Sequence, residues 1–234
     1  MSATVMVRRR PTVRPAQPAA KTPRIMGNLR RQHPKADAEL RFENAFQLLA
    51  ATILSAQCTD ERVNEVAPAL FTAYPDAASL AAADEGALEV LIKSTGFYRS
   101  KARSRRGMAA SVVADHAGTV PQSRDALITL SGVGRKTANV VLGHAMGEPA
   151  MPVDRHVLRV ANRLGIARGD DPERVEEQLC AVLPRRGWTR ASDTLILHGR
   201  RVCKPKPLCD RCSVQQECAF IPPSTPPTKR RTRR

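Results

Sequence analysis

The stretch from Ser123 to Asp154 constrains the fold most, because it contains two short helical patterns connected by two glycines. Ser123 is a typical helix N-cap, and Leu127 and Leu130 follow it at helical spacing. The first pattern therefore predicts a short helix that ends at Gly132. The Gly-Val-Gly connection then favours a sharp change of chain direction over a continuous helix.

A second helix is predicted to begin near Arg135, with Ala138 and Val141 on its buried side. Two short helices joined in this way point backbone N–H groups outward at a helix N-terminus, a geometry that binds phosphate without reading a particular base. Residues 123–146 therefore indicate a helix-hairpin-helix. Its candidate DNA-contacting residues are Gly132, Gly134, Arg135 and Thr137.

The balance of residue types favours helices over sheets. Aromatic residues make up only 3% of the 234 residues, so Ala, Leu, Val and Ile must fill the core. No segment alternates apolar and polar residues over the length of a strand, and the fold class is therefore predicted to be all-α. Early helices are predicted from a cap at Thr22, from Asn44 and from Thr59, the last with an early end or a kink at Pro68.

The net charge of +16 is concentrated at the two ends of the chain. Residues 1–24 contain six basic residues and no acid, and residues 222–234 contain five more basic residues. Residues 1–22 and 222–234 are predicted to be basic disordered arms. Such arms either keep a protein soluble or contact nucleic acid without sequence specificity, and both interpretations stay open here.

Two apolar features expected of secreted or membrane proteins are missing from the sequence. Residues 1–30 show no apolar segment typical of a secretory signal, and no apolar run approaches the ~20 residues that span a bilayer. We therefore expect a protein that is not secreted, binds no membrane, and lies in the cytoplasm with the nucleoid. Cysteines in such a compartment more often bind a metal or stay free than form disulfides.

Four of the six cysteines fall within sixteen residues, with the spacing C-x5-C-x2-C-x5-C. Four thiolates this close predict a metal site. Zinc sites usually pair two C-x2-C units, so the spacing favours an iron–sulfur cluster and leaves zinc as the alternative. Cys58 and Cys180 lie in apolar helical patterns and are predicted to be small buried side chains. The four clustered residues are Cys203, Cys209, Cys212 and Cys218.

Lys136 and Asp154 are the two candidate catalytic residues of the hairpin stretch. Lys136 begins a helix, where it is either a phosphate-contacting cation or, once unprotonated, a nucleophile. Asp154 is either an N-cap or a carboxylate that stabilises an oxocarbenium-like transition state or accepts a proton from an attacking amine. Taken alone, Lys136 fits a phosphate contact better and Asp154 fits an N-cap better. For each residue, this role and the catalytic one do not exclude each other.

Six motifs follow one another in an order that resembles a single enzyme family. They are L-S-A-Q-C-T-D, G-F-Y-R-S-K-A, L-S-G-V-G-R-K-T-A, V-D-R-H-V-x-R-V, L-I-L-H-G-R and the four-cysteine loop. Between about Pro23 and Phe220 the chain resembles the endonuclease III family, the bifunctional DNA glycosylases of base-excision repair within the helix-hairpin-helix superfamily.

The resemblance implies an architecture and a partner. Residues 41–148 would form a six-helix barrel domain that includes the hairpin, and residues 23–40 and 149–221 a discontinuous domain carrying a [4Fe–4S] cluster. DNA would bind a monomer in the groove between the domains, with the damaged base flipped out. The expected partner is double-stranded DNA containing oxidised pyrimidines, such as thymine glycol, or abasic sites.

The resemblance also implies a role for individual residues. Lys136 would attack C1′, expel the oxidised pyrimidine and form a Schiff base, after which β-elimination nicks the strand. Asp154 would be the catalytic carboxylate. Gln57 would fill the space left by the flipped nucleotide, Phe97 would be an apolar wedge, and His156 is a further DNA-contact candidate. The cluster ligands would be Cys203, Cys209, Cys212 and Cys218.

Several positions depart from the pattern of the family. The first cysteine gap is one residue shorter than is common, which displaces its loop. Ser131 replaces a common proline, Arg155 a common threonine, and Ile128 an acid thought to assist proton transfer, so the substrate range could differ. Two alternatives remain: an adenine-type glycosylase of the same superfamily, which generally lacks the lysine, and a non-catalytic module that binds DNA structures.

Overall fold

The computed structural model describes residues 12–13 and 19–221, and this part of the chain contains eleven α-helices. The predicted all-α fold class is confirmed. None of the described helices is both long enough and apolar enough to cross a membrane. The helices are α1 (Thr22–Gln32), α2 (Ala45–Leu54), α3 (Asp60–Ala73), α4 (Ala77–Ala81), α5 (Glu85–Ile92), α6 (Tyr98–His116), α7 (Arg124–Ile128), α8 (Arg135–Ala145), α9 (Arg155–Leu164), α10 (Pro172–Val182) and α11 (Trp188–Arg201).

Three helices begin at the caps that the sequence predicts. The side chain of Asn44 accepts a hydrogen bond of 2.9 Å from a backbone N–H in the first turn of α2. Thr59 accepts one of 3.3 Å at α3, and Ser123 accepts one of 3.2 Å at α7. The predicted cap at Thr22 is wrong by one position, because α1 already includes this residue and no side chain caps the helix.

The predicted early end at Pro68 is wrong, because α3 continues to Ala73; the alternative of a kink there stays a prediction. Proline removes one backbone hydrogen bond from a helix interior. Val63, Val66 and Leu70 are nevertheless all buried, so the turns on both sides of the proline are packed against the core. Pro68 itself is exposed, and its ring therefore meets solvent instead of a packed neighbour.

Two hydrophobic cores divide the described helices. The first is built by α2 to α8, of which α4 and α7 have only five residues each. The second combines α1, α9, α10 and α11 with Val214 of the cysteine loop. The cores meet closely where Gly143 on α8 faces Thr189 on α11, since a Cβ at Gly143 would lie 2.7 Å from the threonine side chain. A cleft lies between them.

Two very short strands lie outside the helical cores. Thr12–Val13 (β1) pairs antiparallel with Phe220–Ile221 (β2), so a piece of the N-terminal arm lies against the end of the cysteine loop. This pairing was not predicted, and it shows that residues 12–13 are not free of the folded chain. The disordered-arm prediction is also wrong at residues 19–22, because Ala19–Lys21 forms a 3-10 helix that leads into α1 at Thr22. The remaining arm residues, 1–11, 14–18 and 222–234, lie outside the described residues.

Candidate active site

The glycine hairpin is packed tightly against the first core. Gly132 has a φ of +75°, which favours glycine, and a Cβ there would lie 3.0 Å from Ser104 on α6 and 3.6 Å from Ile53 on α2. Val133 between the glycines is buried and anchors the turn. Gly134 has extended backbone and is the N-cap residue of α8, so the exposed N–H groups of the first turn face outward.

Lys136 is the second residue of α8 and is exposed, whereas Ala138 and Val141 on the opposite side of the helix are fully buried. The lysine makes no hydrogen bond or ion pair to any described residue. It lines the cleft between the two cores, and Asp154 lines the same cleft. The structure therefore brings together the two candidate catalytic residues, which are separated by a helix and a loop in the sequence.

Asp154 is the N-cap of α9. Its Oδ1 accepts hydrogen bonds from the backbone N–H groups of His156 and Val157, at 2.7 and 2.8 Å. Its Oδ2 accepts no hydrogen bond within residues 19–221. The capping role and the cleft-facing role are thus compatible: one oxygen holds the helix terminus while the other is available to a reacting group.

His156 is half-buried beside Asp154. Its Nδ1 lies 3.0 Å from Nη2 of Arg159, an arrangement in which the ring nitrogen accepts and the ring is neutral. Burial lowers the pKa of His156, and the positive charges of Arg159 and Arg200 lower it further against the opposing effect of Asp154. The ring is therefore a neutral group at physiological pH and leaves Nε2 to donate.

Gln57 and Phe97 share an unusual backbone conformation. Both have positive φ, 55° and 48°, although neither is glycine. Phe97 is also 65% exposed, at the N-terminus of α6, and Gln57 is exposed in the turn between α2 and α3. Left-handed backbone at a non-glycine residue costs on the order of 1–3 kcal/mol and concentrates at functional positions. Neither residue lines the cleft itself.

Arg135, which the sequence predicts to contact DNA, is paired with an acid of the second core. Its guanidinium binds Glu176 on α10 through two parallel contacts, Nε to Oε2 at 2.9 Å and Nη2 to Oε1 at 3.1 Å. Hydrogen bonding to Glu176 and the charges of Glu176 and Glu173 raise the pKa of Arg135 despite partial burial. This side chain is thus held by the second core. Thr137, two residues further along the first turn of α8, is half-buried.

Charged groups that the sequence did not indicate also line the cleft. His144 on α8 lies between two carboxylates, with Nε2 3.2 Å from Asp193 and Nδ1 3.6 Å from Asp37. Burial lowers the pKa of His144, but the hydrogen bond and charge of Asp193, together with the charge of Asp37, outweigh this effect and raise it. The two carboxylates therefore favour a protonated His144, which links α8 of the first core to α11 of the second. No local pattern in the sequence indicated it.

Arg200 forms a second link at the edge of the cleft. It pairs with Asp60 at the start of α3, Nη1 to Oδ2 at 2.7 Å, and also with Glu39. Hydrogen bonding and charge from Asp60 outweigh burial and raise the pKa of Arg200. Its place in the L-I-L-H-G-R motif was the signal that could have marked this residue in the sequence.

The four clustered cysteines line one cavity of about 470 Å³, together with apolar side chains such as Leu164, Val202 and Leu208. Four thiolates around one zinc ion, with Zn–S bonds of about 2.3 Å, must lie about 4 Å from one another. In residues 19–221, however, no three cysteine sulfurs lie within 4.8 Å of one another. The spread of the donors and the cavity between them fit a group larger than a single ion.

The shortened first cysteine gap is held by Arg163 on α9. This side chain donates to the backbone oxygens of Lys204, at 2.6 Å, and Pro205, at 3.0 Å, and its Nη1 lies 3.5 Å from the sulfur of Cys203. Burial raises the pKa of the Cys212 thiol to about 11. A thiolate in this cavity therefore requires a bound cation to stabilise it.

Comparisons with known proteins agree with this geometry. The family model for HhH-GPD superfamily base excision DNA repair proteins matches residues 50–185. An endonuclease III of Synechocystis sp. is 49% identical over 192 residues, which cover 81% of this chain and 88% of the relative. The endonuclease III of Escherichia coli (strain K12) is 42% identical over 203 residues, covering 86% and 96%. The chain belongs to the endonuclease III family.

A solved structure of the family supports the same conclusion in three dimensions. A trapped covalent intermediate of an endonuclease III with DNA matches with a TM-score of 0.83 at 40% identity, over 86% of this chain and 96% of that one. The resemblance seen in the motifs is thereby confirmed. The chain is a base-excision-repair enzyme, a DNA glycosylase with AP lyase activity, and it binds DNA.

Proposed function

We propose that this enzyme excises oxidised pyrimidines from double-stranded DNA through a Schiff base on Lys136 and nicks the resulting abasic site by β-elimination. The observation that carries the proposal is the shared cleft, which is lined by Lys136 at the N-terminus of α8 and by Asp154, the N-cap of α9. No acid among the described residues pairs with this lysine. The hairpin before the lysine supplies outward N–H groups for the DNA backbone.

The covalent step uses the unprotonated amine of Lys136. Its nitrogen forms a bond to C1′ as the C1′–N bond to the base breaks, and the base leaves with that electron pair and a proton. Opening of the sugar gives the Schiff base. Loss of a C2′ proton then drives cleavage of the C3′–O bond, and water releases the lysine from the product.

Asp154 and His156 assist this step from the start of α9. The Oδ2 oxygen of Asp154 stabilises positive charge at the sugar or accepts the proton that the attacking amine gives up. Because Oδ1 is fixed by two backbone donors, the carboxylate is held in position before the substrate arrives. The neutral ring of His156 offers an N–H to a phosphate or sugar oxygen.

Gln57 and Phe97 act on the duplex, not on the bond that breaks. A target base has to leave the helical stack before C1′ becomes accessible, and a side chain that takes its place lowers the cost of this extrusion. Both residues have left-handed backbone and exposed side chains, so a bound duplex can reach them. The aromatic ring of Phe97 suits stacking on a neighbouring base.

Cys203, Cys209, Cys212 and Cys218 hold a [4Fe–4S] cluster in this proposal. The wide separation of the sulfurs supports a cluster over a zinc ion, as does the single C-x2-C unit in their spacing. When bound, the cluster supplies the cationic iron that stabilises four thiolates and ties the loop to the second core. We further propose that the enzyme acts as a monomer, which sedimentation with and without DNA would check.

Borohydride trapping tests the function. Reduction in the presence of a duplex containing thymine glycol, 5-hydroxycytosine or an abasic site should give a covalent complex with the wild-type protein. Lys136→Gln should abolish it, whereas Lys93→Gln, at an exposed lysine distant from the hairpin in the sequence, should not. A wild-type protein that forms no complex with any of the three duplexes would overturn the proposal. If complexes do form, excision rates over a panel of lesions rank the substrates.

A further inference from the structure

Glu176 on α10 is an acid inside the second core, with its side chain only 7% exposed. Its two oxygens receive donors from three residues of the other core. Besides the paired contacts of Arg135, Asn139 donates to Oε2 at 3.1 Å and Arg124 approaches Oε1 at 3.6 Å. An acid is rarely buried without such partners. In this protein the three partner residues of Glu176 all belong to the helix-hairpin-helix.

The partners of Glu176 lie on both helices of the hairpin. Arg124 is the first residue of α7, and Arg135 is the first residue of α8. Arg124 also donates through Nε to the side-chain oxygen of Asn139, at 3.0 Å, which closes the network. A single carboxylate therefore fixes the orientation of α7 and α8 relative to the second core.

The same network reaches both candidate catalytic residues. Lys136 directly follows Arg135 and lies one helical turn before Asn139, which is fully buried. Asn139 also donates to the backbone oxygen of Met151, at 3.3 Å, and this oxygen lies three residues before Asp154. The segment that carries the aspartate and the helix that carries the lysine are thus bound to one amide.

We infer that Glu176 is a positioning residue for the lyase and glycosylase chemistry: it sets the distance between Lys136 and Asp154 across the cleft without touching the substrate. The inference rests on the proposed function of these two residues. Arg135, in turn, serves this network and leaves the DNA phosphates to the backbone of the hairpin.

The magnitude follows from the geometry that covalent catalysis requires. A displacement of about 1 Å at a reacting group can reduce the rate about 100-fold. Glu176→Gln keeps the shape of the side chain but removes its charge and turns one acceptor into a donor, which faces the donors of Arg135. We expect the single-turnover rate constant to fall by about 10- to 100-fold. Affinity for DNA should change less than threefold, because the exposed phosphate-binding N–H groups are retained.

The test separates the rate of chemistry from binding and folding. The rate constant of borohydride trapping is measured with excess enzyme and an abasic duplex, and affinity is measured by fluorescence anisotropy with a tetrahydrofuran duplex, which lacks the C1′ aldehyde. The matched control is Glu173→Gln: this acid lies on the same helix and reaches the same Arg135, at 3.6 Å, but is 61% exposed. It should retain both values within twofold.

A second variant guards against a misfolded first one. Arg124→Met removes the partly exposed edge of the network and should slow trapping by about 3- to 10-fold. If the melting curve shows that Glu176→Gln does not fold, the trapping rate and DNA affinity of Arg124→Met test the inference instead. Trapping at the wild-type rate in a folded variant, or a fall in rate matched by an equal fall in affinity, would overturn the inference. Absence of trapping in the wild type would instead refute the proposed function.

Discussion

Replacing Arg105 by methionine should stabilise the protein. Arg105 lies on α6 with 0% exposure, and its one hydrogen bond joins Nε to the backbone oxygen of Ala50 at 3.1 Å. Its Nη1 and Nη2 atoms are buried and have no hydrogen-bond partner within residues 19–221. No acid in that part of the chain forms an ion pair with it. The cation is therefore held in the first core with little compensation.

The size of the effect follows from the pKa. Burial lowers the pKa of Arg105 from its ordinary value to about 9, so the group is still charged at neutral pH. A change of this size corresponds to roughly 5 kcal/mol against the charged form. Methionine fills a similar volume but gives up the hydrogen bond to Ala50, worth about 1 kcal/mol. We expect a net gain of about 4 kcal/mol, at the upper end of the range measured for such replacements.

The pH dependence gives a second check with a definite sign. Because the pKa of Arg105 is lower in the folded state, the arginine destabilises the wild type fully below about pH 9. Its cost decreases as the pH rises above that value, towards the higher pKa at which the unfolded chain also loses the proton. The advantage of Arg105→Met should therefore be constant between pH 6 and 8 and smaller at pH 10.

Urea unfolding, followed by circular dichroism at each pH, measures this difference. The control is Arg103→Met, an exposed arginine on the same helix, which should change stability by no more than about 0.5 kcal/mol. An Arg105→Met protein less stable than the wild type would refute the reasoning. It would show that the buried guanidinium gains more from its surroundings than it loses on leaving water.

Three other predictions follow from the sites described above. Asp193→Asn should lower the free energy of unfolding by about 1–2 kcal/mol at pH 5.5 and by less at pH 8. Because the pKa of His144 is raised in the folded protein, the ion pair stabilises fully below the pKa of the unfolded state and is lost as the pH rises through the pKa of the folded state. Equal losses in urea unfolding at both pH values would contradict this. Cys212→Ser should abolish the broad visible absorption and bound iron of the purified protein and lower its melting temperature, whereas Cys58→Ser should keep the iron; a colourless wild type with one zinc per chain would show that the cluster assignment is wrong. Phe97→Ala should slow excision from a duplex about 10-fold or more while leaving the melting temperature unchanged, since the ring is 65% exposed; unchanged excision kinetics would remove the wedge role.

Local patterns predicted the helical framework well because their causes are local. A cap needs only a side chain next to the first turn, and the bonds of Asn44, Thr59 and Ser123 span three residues each. The early end predicted at Pro68 is wrong because its cause is not local. Whether a proline ends a helix depends on how strongly the flanking turns are packed, and this is decided by side chains from other helices.

The candidate site divides in the same way. The spacing of the cysteines and the glycine hairpin pointed to a metal site and to a phosphate-binding turn, and the motifs indicated Lys136 and Asp154. Their shared cleft lies between two cores and depends on packing between α8 and α11. The pairing of His144 with Asp193 and the burial of Arg105 likewise involve residues distant in sequence, which no periodicity reports.

By itself, the sequence determined the all-α class, the hairpin and the four-cysteine loop, because each arises from residues within one or two helical turns or one short loop. The tertiary structure alone decided what those residues face. Arg135, which the sequence assigns to DNA, binds an acid 41 positions away. A charged side chain interacts with whatever the fold brings within a few ångströms, and at that range sequence separation carries no information.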